Sequence, residues 1–334
     1  DNQMVQGKRL DLTSFEVLTL LYIIVTTAMM LCMWNGFADP WRMLGLRGIA
    51  LLSMVVANVV AWGIRRSVLK PLVAERLSAF FKILPTVVML IWWYPDIYQF
   101  CQQFPYLDHV FAGMDQTLFG LQPALAFELA MPQALWSELF CLGYYVFYYM
   151  MAAVILFYLL YRYDQLDCIG FIFLGSFFLM YFIYEFLPVA GPQFYFCALL
   201  ERGDITSVEA SSSFSSLFAD GFPQLGDYFR THREMITPEV QGVFGNLVVS
   251  AHEMGERPIA AFPSSHVGIS TILMMLAWRS KNKPLFWIMF PFYVLLCCGT
   301  VYIKAHYLVD SIAGFFTAIL FYYLTDWIYS QYRG

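Results

Sequence analysis

The sequence predicts an all-α, polytopic transmembrane helix bundle of about eight spans, built around a six-helix core. Three observations carry this. Of 334 residues, 60% are hydrophobic and only 13% charged, against roughly a quarter charged in average soluble domains; mean hydropathy is +0.61. Apolar runs of about 18 residues or more recur along the chain, the length that crosses ~30 Å of hydrocarbon. The runs are continuous and not alternating, which argues for helices over a barrel. The same figures, with a net charge of −5, exclude a nucleic-acid binder built on Lys/Arg excess and a disordered chain.

In chain order the runs are 15–34, 46–64, 77–94, 139–161, 169–187, 264–278, 285–303 and 309–329. The sixth is the shortest. The first lacks a small-x-small cleavage pattern and is expected to be a retained span. Lys82 lies inside the third, near enough to its start to snorkel. Residues 1–76 thus hold two accessory spans, and 77–334 the core.

Two stretches interrupt the pattern. Residues 95–138 mix Asp96, Asp108, Asp115, Glu128 and Glu138 with Phe and Leu at helical spacing, as a re-entrant or interfacial segment would. Residues 188–262 are polar, include the serine cluster 211–216, and are expected to form an extramembrane insertion.

With eight alternating helices, one face collects Lys8, Arg9, Arg65, Arg66, Lys70, Arg76, Arg162, Arg279, Lys281, Lys283 and Arg333. The short loops of the other face hold Arg42, Arg47 and Lys304. The positive-inside rule then places both termini in the cytoplasm and 188–262 on the extracytoplasmic side. Seven cysteines form no C-x-x-C. Cys101, Cys141 and Cys197 fall near the outer face, where a bridge is permitted, although free thiols are the simpler expectation.

Five histidines occur: His109, His232, His252, His266 and His306. His266 sits in FPSSHVG (262–268), where Pro263, Ser264 and Ser265 open an apolar run. Ser at a cap and Pro near the first turn are helix-start chemistry. The N–H groups of that turn would either receive only a cap or form an anion site at the positive end of the helix dipole. His306 sits in KAHYLVD (304–310), and its i, i+4 spacing puts Asp310 on the same helix face. A carboxylate there can take one ring N–H and leave the other nitrogen bare, as a nucleophilic or basic imidazole requires; an interfacial ion pair is the plainer alternative. Topology sets His266, His306, Asp310 and the segment Gly191-Pro192-Gln193 at one depth on one side.

Pro-Ser-Ser-His at one span start and His-x-x-x-Asp at another about 40 residues later resemble two signature motifs of the type 2 phosphatidic acid phosphatase superfamily. The wording FPSSHVG with AHYLVDSIAG is most similar to its branch of inositol phosphorylceramide synthases and sphingomyelin-synthase-like enzymes. The resemblance implies a metal-independent, cofactor-free lipid phosphotransferase acting through a phosphohistidine, with a membrane phospholipid as donor and a lipid alcohol or water as acceptor. It implies His306 as nucleophile, Asp310 as its orienting partner and His266 as general acid, with Ser264 and Ser265 holding phosphate oxygens. Two departures stand out. The phosphatase pattern has an Arg six residues before the nucleophile, where this chain has Thr300, and its Lys-and-Arg-Pro first motif is replaced by Gly191, Pro192 and Gln193. Arg257 and Lys304 remain as cations for a phosphate, and the loss favours a transferase over a phosphatase.

Other classes stay open. A lipid or ion transporter would use Glu185 and Asp310 as intramembrane carboxylates, but no internal repeat of the spans is visible. A non-catalytic scaffold of the same fold is a third. His232 and His252 with Glu234 and Glu253 fit no metal-ligand spacing, and are expected to be solvated loop residues. Aromatic spans (144–149 and 171–184) would line lipid access or simply pack.

Overall fold

A computed structural model describes residues 12–206, 218, 221–237 and 242–333, and among these it is all helical. The helices are α1 (Ser14–Cys32), α2 (Pro40–Arg65), α3 (Pro71–Cys101), α4 (Asp108–Phe119), α5 (Pro123–Ala130), α6 (Ala134–Tyr145), α7 (Phe147–Tyr161), α8 (Leu166–Phe186), α9 (Pro192–Glu201), α10 (Val243–Gly255), α11 (Ser265–Arg279), α12 (Lys283–Tyr302) and α13 (Leu308–Arg333). The serine cluster 211–216, Lys8 and Arg9 lie outside the described residues.

Among the described residues six helices are long and apolar enough to cross a membrane, namely α1, α2, α3, α8, α12 and α13. The pair α6 and α7, bent by 41°, makes a seventh if taken as one span. The remaining expected span is α11, whose 15 residues reach only ~22 Å at 1.5 Å per residue. Ile269, Ile272, Leu273, Leu276 and Ala277 on it are fully enclosed, and a helix wrapped by protein need not match the hydrocarbon thickness.

Two compact units are present, one of Asp1–Asp96, Ile155–Phe178 and Leu324–Gly334, the other of Ile97–Val154 and Leu179–Tyr323. In the first, buried charge is paired, as it must be in low dielectric. Arg47, placed by the sequence in a loop, lies inside α2 and grips Asp96 through two hydrogen bonds of 2.9 and 2.8 Å. The helix begins six residues before the apolar run because Asp39 caps it and Pro40 opens it. Lys82 does not snorkel; it is buried against Glu16 at 2.9 Å, and Asn58 donates to the other Glu16 oxygen. Helix α3 continues past the expected end at 94, through Pro85 and Pro95.

In the second unit the stretch 188–262 is less solvated than its composition suggests. Phe194, Tyr195 and Phe196 of α9 are completely buried, in one core with Val189, Phe229, Phe111 and Tyr307. Helix α10 packs on α6, and Glu138 of α6 accepts the N–H groups of Phe244 and Gly245 at its start. The cysteines are all free.

Candidate active site

Residues 303–307 link α12 to α13, and this turn carries His306. Its backbone is pinned on every side. The His306 N–H donates to the Thr300 carbonyl (3.1 Å) and that of Tyr307 to Asp310 Oδ2 (2.9 Å). Two carboxylates of α4 hold the flanks. Asp115 accepts the N–H groups of Leu308 and Val309, each at 3.0 Å, and so caps α13. Asp108 accepts from Ala190 (2.9 Å), Gly191 (2.8 Å) and the Tyr307 hydroxyl (3.1 Å). Seven residues apart, the two carboxylates share the buried face of α4 with Phe111 and Ala112. Burial pushes both up to about 6, against the pull of their N–H donors.

Gly191 lies beside this turn with φ +99°. A Cβ there would sit 2.6 Å from the Ala305 carbonyl oxygen, so only glycine allows the close approach. Pro192 then starts α9, and the Gln193 N–H donates to the Lys304 carbonyl (2.9 Å).

Helix α11 arrives from another direction. Ser264 caps it, its Oγ accepting the Val267 N–H (3.3 Å), while the Ser264 N–H donates to the Asp310 carbonyl (3.0 Å). Gly314 lets α13 lie against this cap, since a Cβ would fall 2.5 Å from the Ser264 carbonyl oxygen. The two motifs therefore touch through their backbones. Their rings follow: His266 and His306 have centroids 5.8 Å apart at 62°. Tyr144 stacks on His266 at 4.4 Å, and Phe147 leans on it at 4.8 Å.

His306 Nδ1 lies 2.8 Å from the Ala261 carbonyl oxygen and 3.9 Å from Asp310 Oδ2. A carbonyl can only accept, so Nδ1 carries the proton and Nε2 keeps its lone pair. The bare nitrogen expected from the sequence is thus present, but Ala261 takes the ring N–H directly. Asp310, fully buried, stands behind it and spends Oδ2 on Tyr307. Burial lowers His306 to about 4, which leaves the ring neutral at neutral pH.

Ser265 is half-buried in the first turn of α11, next to Ser264. Lys304, at φ +64°, is ion-paired with Glu128, so its charge is already matched. Arg257 lies 5.3 Å over the Tyr98 ring. His232 is exposed and stacked on Tyr228. His252, expected in solvent, is instead only 4% exposed. Among the described residues no group of His, Cys, Asp and Glu is arranged to hold a metal ion, and the Glu253 side chain lies outside those described.

A groove of about 700 Å³ opens beside the motifs, walled by Phe127, Val267, Val294, Val301, Leu308 and Ile312 among others. Its wall includes the sequence neighbours of His266 and Asp310, Val267 and Ser311. It is almost wholly apolar, and it lies among α5, α11, α12 and α13 instead of along the 144–149 and 171–184 aromatics.

A family model described as the PAP2 superfamily matches residues 110–324. That range is more than half of the chain and contains both histidine motifs. No curated protein and no solved structure matches the chain.

Proposed function

Since the chain belongs to the PAP2 superfamily, whose members are phosphoesterases and phosphotransferases, we propose that it transfers a phosphoryl headgroup such as phosphoinositol from a phospholipid to a lipid alcohol such as ceramide. The observation that carries the proposal is His306 itself: a neutral imidazole whose Nδ1–H is fixed on the Ala261 carbonyl and whose Nε2 lone pair is left for attack. In the first step Nε2 bonds to phosphorus as the bond to the leaving alcohol breaks, and His266 gives that alkoxide a proton. The first N–H groups of α11, with Ser264 and Ser265, hold the equatorial oxygens at the positive end of the helix. In the second step the acceptor oxygen displaces His306 and its proton returns to His266. Asp310, Asp108 and Asp115 position the turn and do not touch the substrate.

Lipid tails suit the apolar groove, whose wall includes the sequence neighbours of His266 and Asp310, Val267 and Ser311. Thr300, where phosphatases carry Arg, bonds Ser311 and the Cys297 carbonyl, and Lys304 is paired with Glu128. A site short of free cations suits a phosphodiester better than a dianionic monoester, which supports transfer over hydrolysis. The charge asymmetry of the loops supports a reading with the termini in the cytoplasm and the site on the extracytoplasmic side.

The test is purified protein given phosphatidylinositol or phosphatidic acid, with and without ceramide. A new phospholipid that forms only with ceramide supports the transferase. Free phosphate released from phosphatidic acid without acceptor makes the enzyme a phosphatase, and no turnover of either donor overturns both.

A further inference from the structure

His252 has no part in the reaction above, yet the fold spends a buried position on it. It lies on α10 one turn after Val248, and both are turned inward, 4% and 1% exposed. Neither ring nitrogen has a hydrogen-bond partner among the described residues. The ring meets Tyr144 edge to face, centroids 5.8 Å apart at 86°, and the same Tyr144 stacks on His266 at 4.4 Å. Helix α10 is firmly placed, because Glu138 of α6 caps its start through Phe244 and Gly245. A buried imidazole with nothing to bond is costly, and leucine would fill the space without that cost. Such a group is explained by a ligand that bonds it.

The chemistry of the ligand follows from the ring. Burial lowers His252 to about 4, so at neutral pH it offers one N–H donor and one bare acceptor nitrogen. An anionic phosphate would meet the lone pair unfavourably. A hydroxyl, which both donates and accepts, can bond whichever ring nitrogen faces it, the N–H or the lone pair. We propose that His252 belongs to the acceptor site and binds the hydroxyl-bearing end of the molecule that takes the phosphoryl group from His306. This rests on the phosphohistidine mechanism. In the second half-reaction the acceptor oxygen bonds to phosphorus as the phosphorus–nitrogen bond breaks. The bonding pair returns to His306 Nε2, and the hydroxyl proton passes to His266. Water and a lipid alcohol share this chemistry, and both are arms of the test.

Full-length His252→Leu and His252→Gln proteins are mixed with phosphatidylinositol or phosphatidic acid carrying labelled phosphorus. Acid-labile label on the protein is followed by rapid quench, with water alone and with ceramide. In His252→Leu the protein should label within about twofold of the wild-type rate, while loss of the label slows about tenfold or more. Label therefore accumulates, and the slowed arm identifies the acceptor. His252→Gln, which keeps a donor and an acceptor, should recover much of the loss. The melting temperature of His252→Leu should equal or exceed that of the wild type. Label loss at the wild-type rate in both arms overturns the assignment, as does an equal fall in labelling and label loss with a lower melting temperature. A wild-type protein that turns over lipid but never labels defeats the His306 mechanism, and this assignment with it. Normal wild-type labelling with an unaffected His252→Leu defeats the assignment alone.

Discussion

Replacing Asp115 probes how the turn that carries His306 is held. Its carboxylate, 193 residues before Leu308, accepts the Leu308 and Val309 N–H groups at 3.0 Å each. These are the first two N–H groups of α13, which have no partner within the helix. Asp115→Ala leaves both without an acceptor, at ~1–3 kcal/mol for each buried donor left unmet. A total of ~2–4 kcal/mol follows, allowing for partial access of water to Leu308. Asp115→Asn keeps one acceptor oxygen but turns an NH₂ toward the second donor, so about half of that loss remains. The effect on rate should exceed the effect on stability, because a shift of ~1 Å in a reacting group can cost ~100-fold. The assay is lipid turnover with the melting temperature in detergent. Asp115→Ala is expected to lose about 100-fold in kcat with KM little moved, and Asp115→Asn to fall between it and the wild type. Wild-type turnover in Asp115→Ala would refute the argument that α4 holds the site.

Gly191→Ala should lower turnover by about tenfold or more and destabilise by ~1–3 kcal/mol, as overpacking does, since φ is +99° and the new methyl meets the Ala305 carbonyl oxygen at 2.6 Å. Gly48→Ala, inside α2 where no atom lies within 4 Å of the new Cβ, is the control: turnover should be unchanged and stability unchanged or raised by up to ~1 kcal/mol. The pH profile of kcat/KM should fall on the acid side with a midpoint near 6, where Asp108 and Asp115 take up protons and weaken their grip on the backbone. A midpoint near 4, where His306 titrates, would show that the two carboxylates do not matter. Both carboxyls titrate higher in the fold than in the unfolded chain. Their contribution to stability is therefore greatest below about 4 and is lost as pH rises through about 6. Acid should thus silence the protein before it melts it.

Much of this was legible in the sequence because its physics is local. Apolar run lengths placed the spans, and Pro263-Ser264-Ser265 announced the start of α11. The i, i+4 spacing puts His306 and Asp310 on one helix face; His306 instead lies in the link before α13, which begins at Leu308, and its Nδ1 bonds the Ala261 carbonyl with Asp310 Oδ2 3.9 Å away. What escaped depends on partners far along the chain. Arg47 and Lys82 were read as loop and snorkelling cations because Asp96 and Glu16, which neutralise them, lie 49 and 66 positions away. Asp108 and Asp115 were seen only as polar members of an interfacial segment. Their seven-residue spacing, with Phe111 and Ala112 between, marks a buried helix face that carries two carboxylates, and such a face needs donors from elsewhere. His252 was misjudged in the same way: Val248 and His252 are i, i+4 neighbours on the inner face of an apolar helix. Helix α9 packs with Phe111 and Tyr307, and α10 with Phe140, Tyr144 and Tyr302, all distant in sequence, so composition alone assigned both helices to solvent.

The central claim is that His306 carries the phosphoryl group between donor and acceptor. Rapid quench of the purified protein with phosphorus-labelled donor lipid tests it most directly. Acid-labile, alkali-stable label should appear on the wild-type chain, map to His306, and disappear on addition of acceptor at the rate of product formation. His306→Ala should neither label nor turn over. Turnover that persists in His306→Ala, or label that maps to another residue, would contradict the account.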